Sequence, residues 1–264
     1  MKVVFMGKHK RSAARALAHL VEQGCEIPAV VVPEPDESGH PDQRVDLVAE
    51  AANLPLASDD ELYEALADPG GARLDLGGVD LVVSFLFWRR IREPLVSHGR
   101  LGCLNFHPAP LPDFRGVGGY NVAILERLGE WGVSCHFVDE DLDTGDLVAV
   151  ERFPIDSDTA TAFSLDLESQ EHLFRLFADV TRRALRGEAL AGTPQGDGRY
   201  VSRDELERRR LVRPGDDVER KLRAFWYPPW PGAVIELEGR TLTLVDEPLL
   251  RQVAEAYRAA GDVP

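Results

Sequence analysis

The sequence predicts an α/β protein built on a doubly wound, mostly parallel sheet, followed by a small unit containing a β-hairpin. Three observations lead there. The chain opens with a strand, a turn and a helix: the apolar run Lys2-Val3-Val4-Phe5-Met6-Gly7 precedes a helically spaced Ser12 to Val21. The run Val79-Asp80-Leu81-Val82-Val83-Ser84 is β-branched and apolar, as in a strand buried on both faces. Beyond the glycine-rich stretch Gly192 to Gly198, Ala233 to Leu237 and Arg240 to Leu244 alternate about Glu238-Gly239 as a hairpin. Residues 1–190 are therefore expected to form a catalytic-sized domain, 191–198 a linker and 199–264 a small carboxy-terminal domain.

Composition bounds the function. A chain of 264 residues, 44% of them hydrophobic, can bury a sizeable core. No apolar run reaches the ~20 residues that span a bilayer, and the amino terminus places its apolar stretch before its basic one, the reverse of a secretion signal. A cytoplasmic protein without a membrane partner is expected. Cys25, Cys103 and Cys135 are odd in number and widely spaced among apolar residues, so free thiols are expected and neither a disulfide framework nor a metal site. Residues 199–264 hold 12 Lys and Arg against 12 Asp and Glu, so the first 198 hold 18 against 33 and carry the whole net charge of −15. Such a surface repels a phosphate backbone, and no nucleic-acid partner is expected.

In chain order, the first turn reads Gly7-Lys8-His9-Lys10-Arg11 and lacks the GxGxxG glycines that let a backbone wrap a pyrophosphate, so no nicotinamide or flavin site is expected. Its charge run is read as a solvated helix start, with an anion at the helix terminus as the alternative. Ile27 to Val32 is a second strand, and Pro33 to Pro41 a polar loop. Val45 to Asn53 and Asp59 to Ala67 read as helices around a short strand at Leu54 to Leu56, and Asp68 to Arg73 as an exposed connection. Past Val79 to Ser84, aromatic and apolar residues continue through Phe85-Leu86-Phe87-Trp88-Arg89-Arg90-Ile91. They either wall a flat heterocycle or plug the core.

The central stretch runs from Leu101 to Val148. A strand through Leu101 to Phe106 puts Asn105 and His107 on one face, because residues i and i+2 of a strand point the same way. Pro108, Pro110 and Pro112 then stiffen a loop that ends at Gly116, Gly118 and Gly119. A helix from Tyr120 to Leu128, a strand from Val133 to Val138, the acidic loop Asp139 to Asp146 and a strand from Leu147 to Val150 follow. A long helix to Gly187 closes the domain, and Val218 to Trp226 is a helix of the last unit. An imidazole held by a carboxylate can accept a proton, and a neighbouring amide can donate to an oxyanion. With no GxSxG elbow, the nucleophile would belong to the substrate. The pattern N-x-H with a distant aspartate leaves open the alternative of a structural, hydrogen-bonded histidine.

NFHPAPLPDFRG followed by GVSCHFVDEDLDTGDLV resembles the 10-formyltetrahydrofolate-dependent formyltransferases, whose members act on methionyl-tRNA, glycinamide ribonucleotide or amino sugars. The resemblance extends through residues 1 to about 190 and returns at LRAFWYPPWPGA. It implies a Rossmann-like sheet of roughly seven strands. It also implies Asn105, His107 and Asp143 as catalytic residues, with Asp143 preferred over Asp141 and Asp146. Folate would lie against the loops containing Phe87, Trp88, Arg89 and Ile91 and containing Asp139, Glu140 and Asp141, with 10-formyltetrahydrofolate as co-substrate. Attack by an uncharged amine on the formyl carbon is implied, with His107 taking the proton, Asn105 stabilising the oxyanion and Asp143 keeping His107 oriented and basic. The missing glycine loop at Gly7 to Lys10 argues against glycinamide ribonucleotide, and the short, charge-neutral 199–264 argues against tRNA. A small-molecule amine is left, first a nucleotide-linked 4-amino or 3-amino sugar, then an ornithine or hydroxyornithine type. The hairpin unit is compatible with a homodimer, as in many sugar-modifying members. A formyl-folate hydrolase and a folate-binding protein without turnover are the readings from other classes.

Overall fold

The computed structural model describes residues 1–34, 41–71 and 73–259. Most of the expected loop Pro33 to Pro41, and Ala72 within Asp68 to Arg73, lie outside the described residues. The elements run β1 (Lys2–Gly7), α1 (Arg11–Glu22), β2 (Glu26–Val31), α2 (Val45–Ala51), β3 (Leu56–Ala57), α3 (Asp59–Ala67), β4 (Leu81–Phe85) and β5 (Cys103–His107). They continue with β6 (Arg115–Gly116), α4 (Gly119–Leu125), β7 (Glu130–Phe137), β8 (Leu147–Pro154) and α5 (Ala162–Leu185). The last are β9 (Tyr200–Val201), α6 (Arg203–Arg210), α7 (Val218–Phe225), β10 (Val234–Leu237), β11 (Arg240–Thr243) and α8 (Glu247–Ala259).

Seven strands form one sheet in the order β3-β2-β1-β4-β5-β7-β8. The pairs β2–β3, β1–β2, β1–β4 and β4–β5 are parallel, and β5–β7 is antiparallel. The expected mostly parallel, seven-stranded α/β sheet is thus present. Because side chains alternate along a strand, the sheet has two chemically distinct faces. On one, Phe5, Phe85, Phe106 and Phe177 pack ring to ring, with centroids 4.9 to 6.5 Å apart. On the other, Val4, Met6, Val31, Val82 and Cys103 pack with Leu62, Ala65, Ile91 and Leu95. Two residues on from Val82 and Cys103, this second face turns polar at Ser84 and Asn105.

The amino-terminal turn is built as structure. His9 donates from Nε2 to the Pro33 carbonyl at 3.0 Å and accepts the Val45 N–H at Nδ1, 3.2 Å. Both ring nitrogens are spent on bracing β2 and α2. Ser58 and Glu61 make a reciprocal capping box that starts α3.

Compactness divides the chain into two units whose segments interleave. The first comprises Met1–Arg115, Gly132–Arg152 and Ser169–Arg199, and the second comprises Gly116–Trp131, Phe153–Glu168 and the residues from Tyr200 onward. Residues 191–199 thus join the first unit, where Thr193 and Leu147 exchange backbone hydrogen bonds of 2.9 and 2.8 Å. In the second unit, Ile124, Ala162, Leu222, Phe225, Trp226, Ala233 and Leu249 form a core of their own. Arg220, 7% exposed, bonds Asp158, Asp217 and the Ile124 carbonyl there. The hairpin β10–β11 turns through Glu238 (φ 50°) and Gly239 (φ 74°), the left-handed pair that a tight two-residue turn requires. Among the described residues no helix is long and apolar enough to cross a membrane.

Candidate active site

Strand register assembles the site. Asn105 of β5 lies opposite Ser84 of β4 on one side and His136 of β7 on the other, so an alcohol, an amide and an imidazole form one row across three strands. Ser84 donates its hydroxyl to Asn105 Oδ1 at 2.8 Å. Asn105 Nδ2 then donates to His136 Nε2 at 3.0 Å, and His136 Nδ1 donates to the Phe137 carbonyl at 2.7 Å. Each partner fixes the next, because a ring nitrogen that already gives its proton to a carbonyl leaves its opposite nitrogen as an acceptor. The amide orientation of Asn105 follows, and among the described residues its second N–H has no hydrogen-bond partner.

Burial and the neighbouring His107 push His136 down to about 4, so it stays neutral as this chain requires. A histidine whose folded value lies below its unfolded 6.5 binds fewer protons folded than unfolded between those values. Its stabilising contribution is therefore present above about 6.5 and is lost as pH falls towards 4. Thermal midpoints measured across that range are expected to fall with pH in the wild type and to fall less in His136→Gln.

His107, two residues beyond Asn105, is 8% exposed. Its Nε2 donates to the Phe114 carbonyl at 3.2 Å, which leaves Nδ1 to exchange a proton. Asp143 Oδ1 stands 3.5 Å from that Nδ1 and 3.8 Å from His136 Nε2. The proline loop between His107 and Phe114 is pinned by Ser134, opposite His107 in the register, which donates to the Ala109 carbonyl and accepts the Leu111 N–H.

Asp143 enters the site on a loop that doubles back. Since β7 runs antiparallel to β5, the loop after Phe137 leaves beside Cys103, where Val138 N–H bonds the Cys103 carbonyl, and returns over the face bearing Asn105 and His107. Asp143 itself takes φ 58°, a left-handed conformation that costs a non-glycine residue about 1 kcal/mol or more. Asp139 accepts from the Asp141 N–H and the Thr144 hydroxyl, organising the turn, while Glu140 and Asp141 are exposed. At Gly145 a Cβ would sit 2.0 Å from the Phe137 carbonyl oxygen. Gly145→Ala is accordingly expected to cost on the order of 1–3 kcal/mol in chemical denaturation and to displace Asp143.

Of the residues expected to line a pterin site, Phe87 packs against the apolar cluster of this face and meets Trp88 at 4.4 Å between ring centroids. Trp88 is 40% exposed, and Ile91 is buried in that cluster. Arg89 is exposed and donates from Nη1 to both carboxylate oxygens of Asp59. Ser84, His136 and Ser134 were not singled out by the sequence. The buried polar residues of Val133-Ser134-Cys135-His136-Phe137, two apart in an otherwise apolar strand, were the available signal.

The profile of the formyl transferase family matches residues 1–180. The methionyl-tRNA formyltransferase of Janthinobacterium sp. (strain Marseille) is 31% identical over 251 residues, covering 90% of this chain and 78% of the relative. Among solved structures, a 4-N formyltransferase from Francisella tularensis superimposes with a TM-score of 0.73 at 18% identity, covering 93% of this chain and 97% of the other. An N-formyltransferase from Helicobacter canadensis, solved with folinic acid and dTDP-3-aminofucose, gives 0.72 at 18% identity, covering 90% and 85%. These matches place the protein among the one-carbon group transferases. The chain belongs to the formyl transferase family, the one that the motifs between Leu101 and Val148 resemble.

Proposed function

We propose that this enzyme moves a formyl group from 10-formyltetrahydrofolate to the amine of a nucleotide-linked amino sugar. The observation that carries the reaction is the convergence of Asn105, His107 and Asp143 on one sheet face. Folate supplies the formyl carbonyl, and these residues fit it: an oriented amide N–H for the carbonyl oxygen and a proton-accepting nitrogen beside it. As an uncharged amine attacks the formyl carbon, Asn105 donates its free N–H to the oxygen on which negative charge develops. His107 takes the amine proton at Nδ1, directly or through one water, because Nε2 is committed to Phe114. Asp143 then faces the imidazolium and stabilises it. The same proton is available for the nitrogen that leaves.

Phe87 and Ile91 pack in the apolar cluster of this face and Asp143 reaches His107 on it, and the loops Phe87 to Ile91 and Asp139 to Asp143 are on that basis assigned to the pterin, with backbone groups near Arg89 and Ile91 as its partners. Two observations support the amine class. The net −15 opposes an RNA substrate, and a protein of the same fold was solved with a nucleotide-linked amino sugar. Methionyl-tRNA is the second reading, favoured by the 31% identity to an enzyme of that name.

One assay orders the alternatives: 10-formyltetrahydrofolate with dTDP-linked 3-amino and 4-amino sugars, ornithine-type amines, methionyl-tRNA or no amine. Formylated sugar is the expected product. Turnover on methionyl-tRNA alone would replace the sugar reading, and formate release without amine would indicate hydrolysis.

A further inference from the structure

The glycine-rich segment 191–198 reads as a linker, yet it is fastened to the catalytic loop. Gln195 Nε2 donates one N–H to the Asp143 carbonyl at 3.1 Å and the other to the Gly145 carbonyl at 2.7 Å. Its oxygen is held in turn by Arg115, from Nη2 at 3.1 Å and Nε at 3.4 Å, while the same Nη2 bonds the Gly196 carbonyl at 3.0 Å. A guanidinium only donates, so the amide of Gln195 cannot be turned around: its nitrogen must face the two carbonyls. Close packing supports the same placement, since a Cβ at Gly192 would lie 2.6 Å from Asp146 Cβ.

These contacts bear on one geometric problem. The direction of the Asp143 side chain is set by its backbone, and that backbone is left-handed at φ 58°. Within its own loop, Thr144 and Asp139 tie the turn together, but they do not anchor it to the rest of the chain. Gln195 bridges the carbonyls on either side of Thr144 and holds the turn from outside. We infer that Gln195, oriented by Arg115, is a positioning residue for formyl transfer, fixing the strained turn that brings Asp143 to His107. It touches no reacting atom, and the inference rests on the proposed role of Asp143.

The test measures kcat and KM for transfer from 10-formyltetrahydrofolate to a dTDP-linked amino sugar, using the full chain. Gln195→Ala and Gln195→Glu are each expected to lower kcat about 10- to 100-fold with KM for the amine little changed, the size of effect that a misplaced group produces. The carboxylate introduced by Gln195→Glu keeps the shape and the Arg115 partner but has no proton to donate. Near wild-type turnover in that variant would reduce Gln195 to a packing role and overturn the inference. If Gln195 acts through Asp143, the double variant Asp143→Asn with Gln195→Ala should be no slower than Asp143→Asn alone. Multiplying losses would overturn the inference as well. The Asp143→Asn variant by itself separates the two levels, because full activity there removes the role of Asp143 whatever Gln195 does. Should Gln195→Ala not fold, the isosteric Gln195→Glu carries the test, with circular dichroism as the check on folding.

Discussion

Asn105→Ala is expected to reduce kcat for formyl transfer about 100- to 1,000-fold, or about 2.7–4 kcal/mol of transition-state stabilisation. The amide is built for one orientation. Ser84 occupies its oxygen and His136 one of its two N–H groups, so one hydrogen remains, and it is fixed before any ligand arrives. A donor that needs no reorganisation is worth most where charge develops during reaction, so kcat should fall much further than binding of the amine. Asn105→Asp gives a second, sharper outcome. It nearly keeps the volume but places a carboxylate where the oxyanion forms, and is expected to be at least as slow as alanine. Steady-state kinetics of both variants check this. An aspartate variant near wild-type rate would show that no negative charge builds up beside residue 105.

His107→Ala is expected to cost at least ~100-fold in transfer rate, the usual worth of a positioned proton acceptor. Asp143→Asn should cost at least ~100-fold as well, because an amide near Nδ1 cannot stabilise the imidazolium as a carboxylate does. The two losses should not multiply, since both residues serve one proton transfer. Measuring the single and double variants under identical conditions checks the coupling. Independent, multiplying losses would place the two residues in separate steps.

The three residues proposed for chemistry were assigned through the family resemblance, carried by N-x-H at a strand end and an aspartate before Thr-Gly in an acidic loop; spacing alone left a structural histidine and the choice among Asp141, Asp143 and Asp146 open. The strand-turn-helix opening and the buried run at Val79 to Ser84 gave the sheet. Ser84 and His136 were hidden for a physical reason. Their role depends on which strands neighbour β5 and in what register, and strand order is a long-range property that no local pattern carries. The antiparallel direction of β7, which sends Asp143 back over the sheet face, is hidden in the same way. Gln195 stood in a glycine-rich segment whose composition speaks for a connection, and only its packing against the acidic loop reveals a tie. Helix α6 went unread because Arg203–Arg210 has no apolar face. It stands on the Ser202 cap, a basic last turn and ion pairs such as Arg209 to Glu205. Helix α8 did carry a readable helical pattern in Glu247–Ala259.

In the proposed reaction an amide, an imidazole and a carboxylate on one sheet face transfer formyl from folate to an amine. Mass spectrometry of single-turnover reactions with 10-formyltetrahydrofolate and a dTDP-linked amino sugar tests it most directly, run with the wild type and with His107→Ala. N-formylated sugar and tetrahydrofolate are expected in equal amounts from the wild type, with product forming at least ~100-fold more slowly in the variant. Formylated product at the wild-type rate in His107→Ala, or formate as the sole product of the wild type, would contradict that reaction.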